Sequence, residues 1–196
     1  MEEKQVRGTN RLIIIGGSSG SLEALLAMLP KLDNKFAIPI VIILHRSGNT
    51  DNGLTDLLCS KTVLHIKEAD EKDRLQRGWI YLAPPDYHLL LEEDGTVSLD
   101  ASQKVNYSRP SIDVSFMSAA EVYKERLTAV LLSGANADGA GGMKTIKQLG
   151  GRNIVQDPAE AVVSYMPEQA MLLSPAADVL TVVNIAKLLN EIAQHS

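Results

Sequence analysis

The feature that most constrains this chain is the run Leu12-Ile13-Ile14-Ile15, which stops on Gly16-Gly17-Ser18-Ser19-Gly20 and is followed by Leu22, Leu25, Leu26 and Leu29 at helical spacing. A short run that is apolar at every position belongs to a strand covered on both faces, as in a parallel sheet, not to one with a wet side. The same unit recurs. Residues 38–44 form a second such run ending on His45, and residues 127–132 a third, followed by a glycine-rich turn over 134–142. Shorter strands are predicted at 62–66, 79–83 (stopped by Pro84-Pro85) and 153–156. Helices are predicted at 21–32, 52–60, 111–124, 143–149 and 181–194, with the stretch from Pro158 onward mainly helical. Residues 88–92 and 96–100 flank Glu93-Asp94-Gly95, a hairpin signal, and the charge-dense 68–77 reads as a solvated loop. Alternating strands and helices call for an α/β fold: a doubly wound, mostly parallel sheet with helices on both faces and an inserted antiparallel hairpin.

Composition narrows the class. The 196 residues suit one domain, expected over 11–196 behind a polar arm at 1–10 that has no apolar signal-peptide segment. The longest apolar runs are too short to span a bilayer, so the chain is not expected to be membrane-inserted. One cysteine, Cys59, cannot build a disulfide framework, which points to the cytoplasm. The net charge of -5 argues against nucleic acid as a partner. Neither H-E-x-x-H nor comparable ligand spacing is present, so no metal and no cofactor are expected.

Ligands of open parallel sheets bind beyond the carboxyl ends of the strands. The residues leaving three buried strands there are Ser18, His45 and Asp138: a hydroxyl, an imidazole and a carboxylate, the groups of a nucleophile–base–orienter relay. Gly16-Gly17-Ser18-Ser19-Gly20 fits G-x-S-x-G, a sharp strand-to-helix turn that exposes a serine and aims the N–H groups around Gly17, Ser19 and Gly20 at a developing oxyanion. A plain glycine–serine turn or a phosphate-binding loop fits the five residues equally, although the G-x-G-x-x-G and P-loop patterns both fail. Ser19 is a competing nucleophile or a cap for the helix behind it. His88, at the start of the hairpin, is the rival base; His65 reads as packing, and His195 lies in the tail. Asp138 is either the N-cap of the following helix or the acceptor of a His45 Nδ1–H bond.

Five blocks carry a family resemblance: Gly16-Gly17-Ser18-Ser19-Gly20-Ser21, Ile43-Leu44-His45, the segment from Tyr81 through Ala83-Pro84-Pro85 to His88, Arg109-Pro110-Ser111-Ile112-Asp113, and Leu132-Ser133-Gly134-Ala135-Asn136-Ala137-Asp138-Gly139. In order and together, they resemble the catalytic domain of the chemotaxis protein-glutamate methylesterases, the CheB family. The resemblance implies Ser18 as nucleophile, His45 as general base and acid, and Asp138 as orienter, in an order unlike that of α/β-hydrolases. It implies hydrolysis of glutamyl methyl esters on the methylated cytoplasmic region of chemoreceptors, with a related activity on receptor glutamines. The oxyanion is expected to meet N–H groups of the Gly17–Gly20 loop and of the turn holding Gly134, Ala135 and Asn136, and Arg109 is expected to face the substrate or brace the site. Three departures stand out: Ser21 replaces a usual glycine, Ala135-Asn136 replaces a usual Met-Gly at the active site, and no regulatory receiver domain is expected. The altered turn leaves open a second reading, a domain that binds a receptor or signalling protein without turnover; a nucleotide-phosphate binder at Gly16–Gly20 is a third.

Overall fold

The computed structural model describes residues 11–46, 53–175 and 177–195. The polar arm and the expected helix start at Asn52 lie outside them. In chain order the elements are β1 (Leu12–Gly17), α1 (Ser21–Met28), β2 (Ile40–Leu44), α2 (Leu54–Cys59), β3 (His65–Glu68), β4 (Trp79–Leu82), β5 (His88–Leu91) and β6 (Val97–Asp100). Then come α3 (Ile112–Tyr123), β7 (Leu127–Leu131), α4 (Ala140–Gln148), β8 (Arg152–Gln156), α5 (Tyr165–Leu173), β9 (Asp178–Leu180) and α6 (Val182–Gln194).

Seven strands form one parallel sheet in the order β3-β4-β2-β1-β7-β8-β9, and β5 with β6 makes a separate antiparallel ribbon. Both faces of the sheet are covered, which is why β1 and β2 are apolar at every position and β7 at every position but Thr128. Leu12, Ile14, Val41, Ile43 and Leu131 meet α3, α4, α5 and the ribbon on one face. Ile13, Ile15, Ile40, Ile42 and Val130 meet α1, α6 and Leu58 of α2 on the other. The chain leaves β1 toward β2 through α1 on one face, and leaves β7 toward β8 through α4 on the opposite face. β1 and β7 are neighbours, so the order reverses between them, the position beyond whose strand ends open parallel sheets bind their ligands.

The doubly wound parallel sheet with its inserted hairpin is the expected fold; several boundaries differ. β1 continues through Gly16 and Gly17. α1 stops at Met28 and tightens into a 3₁₀ turn over Leu29–Lys31, where Pro30 has no N–H to give. α4 begins at Ala140, not 143: Gly141 and Gly142 are poor helix formers, yet a Cβ at Gly142 would sit 2.5 Å from the Cβ of Phe116 in α3. β3 is shifted to His65–Glu68, and β9 lies in a stretch expected to be helical. The 68–77 segment is not a free solvated loop: Lys72 N–H donates to Val97 O (2.9 Å), Val97 N–H to Asp73 O (2.9 Å), and Leu75 is buried against the ribbon. Among the described residues no helix is long and apolar enough to cross a membrane.

Candidate active site

The register of the parallel strands brings the first two groups together. Gly17 pairs with Leu44, so Ser18 and His45 are the next residues on neighbouring strands. Their backbones are tied: His45 N–H donates to Gly17 O (3.2 Å) and Ser18 N–H to Ser133 O (2.9 Å), on the other side of β1. Ser18 is therefore held between the exits of β2 and β7. The turn that presents it needs glycine at two places. A Cβ on Gly17 would fall 2.5 Å from the Cβ of Ser21, and Gly20 has φ +80° with a virtual Cβ 2.5 Å from Val162. Gly20 occupies the cap position of α1 without a side-chain bond, so Ser19 does not cap this helix; the hydroxyl of Ser21 instead donates to Ser18 O (2.6 Å). Ser21, where the family usually has glycine, thus braces the loop from inside.

Asp138 is 1 % exposed, and its carboxylate is fully engaged. Oδ2 accepts from His45 Nε2 (2.7 Å) and Ile112 N–H (2.7 Å). Oδ1 accepts from Asn106 Nδ2 (2.8 Å), Ser111 Oγ (2.9 Å) and Asp113 N–H (3.0 Å). Two of these are the first N–H groups of α3, where a carboxylate meets both unsatisfied donors and the positive end of the helix dipole. Burial pushes this carboxyl up, but the bonds from His45, Asn106 and the α3 backbone outweigh it and hold Asp138 below the ordinary carboxylate range.

Two expectations about Asp138 are corrected here. It caps α3, not the α4 that follows it; α4 is served by Asp113, whose Oδ1 accepts from Gly139 N–H (3.0 Å) and Gly142 N–H (2.6 Å). And it meets the His45 ring at Nε2 instead of Nδ1. With Nε2–H given to the carboxylate, Nδ1 is the ring nitrogen left with a lone pair. Asp113 behaves oppositely to Asp138: burial raises its carboxyl above the ordinary range, helped by the nearby Asp138 charge and opposed by the Gly142 N–H.

The rival base is accounted for. His88 is 1 % exposed; its Nδ1 accepts from Ser111 N–H (3.1 Å) and its Nε2 donates to Gln103 O (3.0 Å), so neither nitrogen is open to a substrate. His65 stacks on Trp79 with ring centroids 4.8 Å apart, far along the sheet edge. In the 134–137 turn, Gly134 N–H is already given to Val163 O (3.1 Å), which removes it from the oxyanion donors. Asn136 Oδ1 accepts from Asp138 N–H (3.1 Å) and shapes the turn, while Ala135 is exposed. Arg109 braces: its Nη1 donates to Ala101 O and Ser102 O, both at 2.6 Å. His45 opens on a cleft of about 310 Å³ that Arg109 also lines.

The CheB methylesterase family profile matches residues 13–189. The chain belongs to the CheB methylesterase family. Its fold superposes on the crystal structure of the Thermotoga maritima CheB methylesterase catalytic domain with a TM-score of 0.87 and 36 % identity, covering 93 % of this chain and 98 % of that one. A Leptospira interrogans protein, provisionally named a protein-glutamate methylesterase/protein-glutamine glutaminase, is 44 % identical over 184 residues, 94 % of this chain and 95 % of its own length. The protein-glutamate methylesterase FrzG of Myxococcus xanthus is 36 % identical over 178 residues, 91 % of this chain but 53 % of its own length. A protein-glutamate methylesterase is by its name a hydrolase of carboxylic esters.

Within this CheB-family site, the sequence reading passed over Asn106, Ser111 and Asp113. Asn106 is the link: its Nδ2 donates both to Asp138 and to Asp113 Oδ2 (2.9 Å). Ser111 and Asp113 lie in the Arg109–Asp113 block that carried part of the resemblance. Asn106 sits in the polar, irregular 102–110 stretch, where no periodicity marks a residue out. Among the described residues no group of three His, Cys, Asp or Glu side chains is placed to hold a metal.

Proposed function

We propose that this chain hydrolyses methyl esters of glutamate side chains in the cytoplasmic region of chemoreceptors, through Ser18, His45 and Asp138. The observation that carries the reading is the 2.7 Å contact of His45 Nε2 with a buried, fully hydrogen-bonded Asp138, one strand away from Ser18. Asp138 fixes the ring and its tautomer; it stabilises the imidazolium without taking the proton. Ser18 Oγ attacks the ester carbonyl as His45 Nδ1 takes its proton. The N–H groups of Ser19 and Gly20, at the amino end of α1, meet the oxyanion, since those of Ser18 and Ser21 are already given to Ser133 O and Ser18 O. His45 returns the proton to the departing methanol. Water, deprotonated by the same nitrogen, then cleaves the acyl-enzyme to leave a free glutamate. A receptor glutamine enters the same sequence with ammonia as the leaving group. Residues 11–196 act as one catalytic unit, in the cytoplasm, with no cofactor.

The test is Ser18→Ala, assayed on a methyl-esterified receptor fragment and with a fluorophosphonate probe. Ester hydrolysis should fall by about 10⁴-fold or more while the fold is retained, and the probe should label the unaltered protein at Ser18 only. Well-folded protein that neither labels nor turns over the ester supports the binding-module reading instead.

A further inference from the structure

Tyr107 is placed unlike any other large side chain among the described residues. It is 98 % exposed, where the next described large apolar residue, Leu172, is 72 %. It also holds a left-handed backbone, φ +62°, next to Asn106 at φ +51°. Val105 N–H donates to Ser108 O (3.2 Å) and Ser108 N–H to Val105 O (2.9 Å), so the two residues form the tip of a two-residue hairpin. Such tips with both φ values positive favour Asn followed by Gly, and an aromatic residue at the second position is strained. Strain of this kind persists only where the surroundings impose it. Here the imposing contact is visible: the preceding Asn106 is pinned to both Asp138 and Asp113, so the tip cannot relax without disturbing the carboxylate that orients His45.

The ring stands between two depressions. One, about 310 Å³, is lined by His45, Arg46, Asp86, Lys104 and Arg109 besides Tyr107; the other, about 400 Å³, includes Asn136, Ala137 and Asp138. An uncovered aromatic ring at the shared rim of a reactive imidazole's cleft is a contact waiting for a partner. Lys104 and Arg109 line the His45 side beside one carboxylate, Asp86, while Arg46 there is already paired with Glu68 (2.8 Å), in a chain of net charge -5. That balance fits an acidic segment.

We infer that Tyr107 is a specificity residue, a rigidly presented ring that packs against the acidic, ester-bearing helix of a protein substrate and seats it over His45. This rests on the function proposed above, and the experiment separates the two. A fluorescent methyl-esterified helical fragment of a receptor methylation region is titrated into the Ser18→Ala protein, which holds it unhydrolysed, and into Ser18→Ala/Tyr107→Gly. Glycine removes the strain, so the thermal midpoint should hold or rise, while Kd should weaken about 10-fold. Tyr107→Phe should restore binding to within about 2-fold, because the ring and not the hydroxyl makes the contact. In the Ser18-containing protein, Tyr107→Gly should raise KM for the fragment about 10-fold with kcat changed less than 3-fold. Equal binding by both proteins, or no binding by either, overturns the inference. Hydrolysis of a small activated ester by the unaltered protein reports separately on Ser18, so its loss would sink the proposed function and not this contact alone.

Discussion

The two ends of the proposed relay are built differently. On the α3 side, Asp138 receives five hydrogen bonds, is buried, and caps a helix other than the one it precedes. On the α1 side, Ser18 is fixed among the described residues only through its backbone, its N–H to Ser133 O and its carbonyl to the Ser21 N–H and hydroxyl, in a loop whose Ser19 is exposed. The base end is thus over-determined by side chains, and the nucleophile end by main-chain turns and missing Cβ atoms. An orienter must not move, because a rotated ring presents the wrong nitrogen. A nucleophile must be reachable, because it has to form and break a bond with a bulky macromolecular substrate.

That contrast can be broken at either end. The largest effect should come from Asp138→Asn, which keeps the shape but offers His45 Nε2 an amide; kcat on a methyl-esterified fragment should fall about 10³–10⁴-fold, measured by methanol release. A loss below about tenfold would show that the carboxylate is chiefly a cap. Next comes Gly20→Ala, which adds a Cβ 2.5 Å from Val162 at φ +80°; chemical denaturation should show a loss of about 2–3 kcal/mol. If stability is kept, the loop is softer than its turn geometry says. Asn106→Ala removes one donor from each of two carboxylates. It should cost about 1–3 kcal/mol, as the buried Asp138 loses a partner, and lower kcat about tenfold through a looser His45. Nearly equal losses of activity for Asn106→Ala and Asp138→Asn would mean that the amide and the carboxylate act as one unit.

The smallest expected effect is in acid. Asp138 is held below its unfolded value, so its contribution to stability is present above the ordinary carboxylate range near pH 4 and is lost as pH falls through the folded value. Asp113 is raised and has the opposite sign: it favours the fold when protonated and loses that contribution as pH rises through its folded value. Urea midpoints taken from pH 7 down to pH 3 should therefore fall less steeply for Asp138→Asn than for the unaltered chain. Parallel curves would mean that the carboxyl is not depressed.

What the sequence revealed follows from where local signals exist. β1, β2 and β7 are legible because strands buried on both faces write themselves as near-continuous apolar runs, broken in β7 only by Thr128, and each ends on the polar residue it delivers: Ser18, His45, and the turn leading to Asp138. β9 was not, since three residues at a sheet edge with Asp178 first carry no periodicity. α4 began early because close packing against Phe116, a contact made far along the chain, overrode the poor helix propensity of Gly141 and Gly142. The helix-cap reading of Asp138 differs from the structure in an informative way. A local rule links an Asp to the helix directly behind it, whereas the fold crosses the pairs, so that Asp138 serves α3 and Asp113 serves α4. The ring nitrogen facing Asp138 is likewise a matter of tertiary placement, on which residue order is silent.

The crossed caps tie chemistry to architecture in a way that bears on how such chains diverge. A descendant that gave up ester hydrolysis could replace Ser18 at little structural cost, since nothing but its main chain is used in holding the fold. It could not discard Asp138 so freely, because the first amides of α3 would be left unanswered. Retention of the aspartate in a relative is therefore weak testimony to turnover, and on the proposed mechanism the serine is the residue whose presence signals a working esterase.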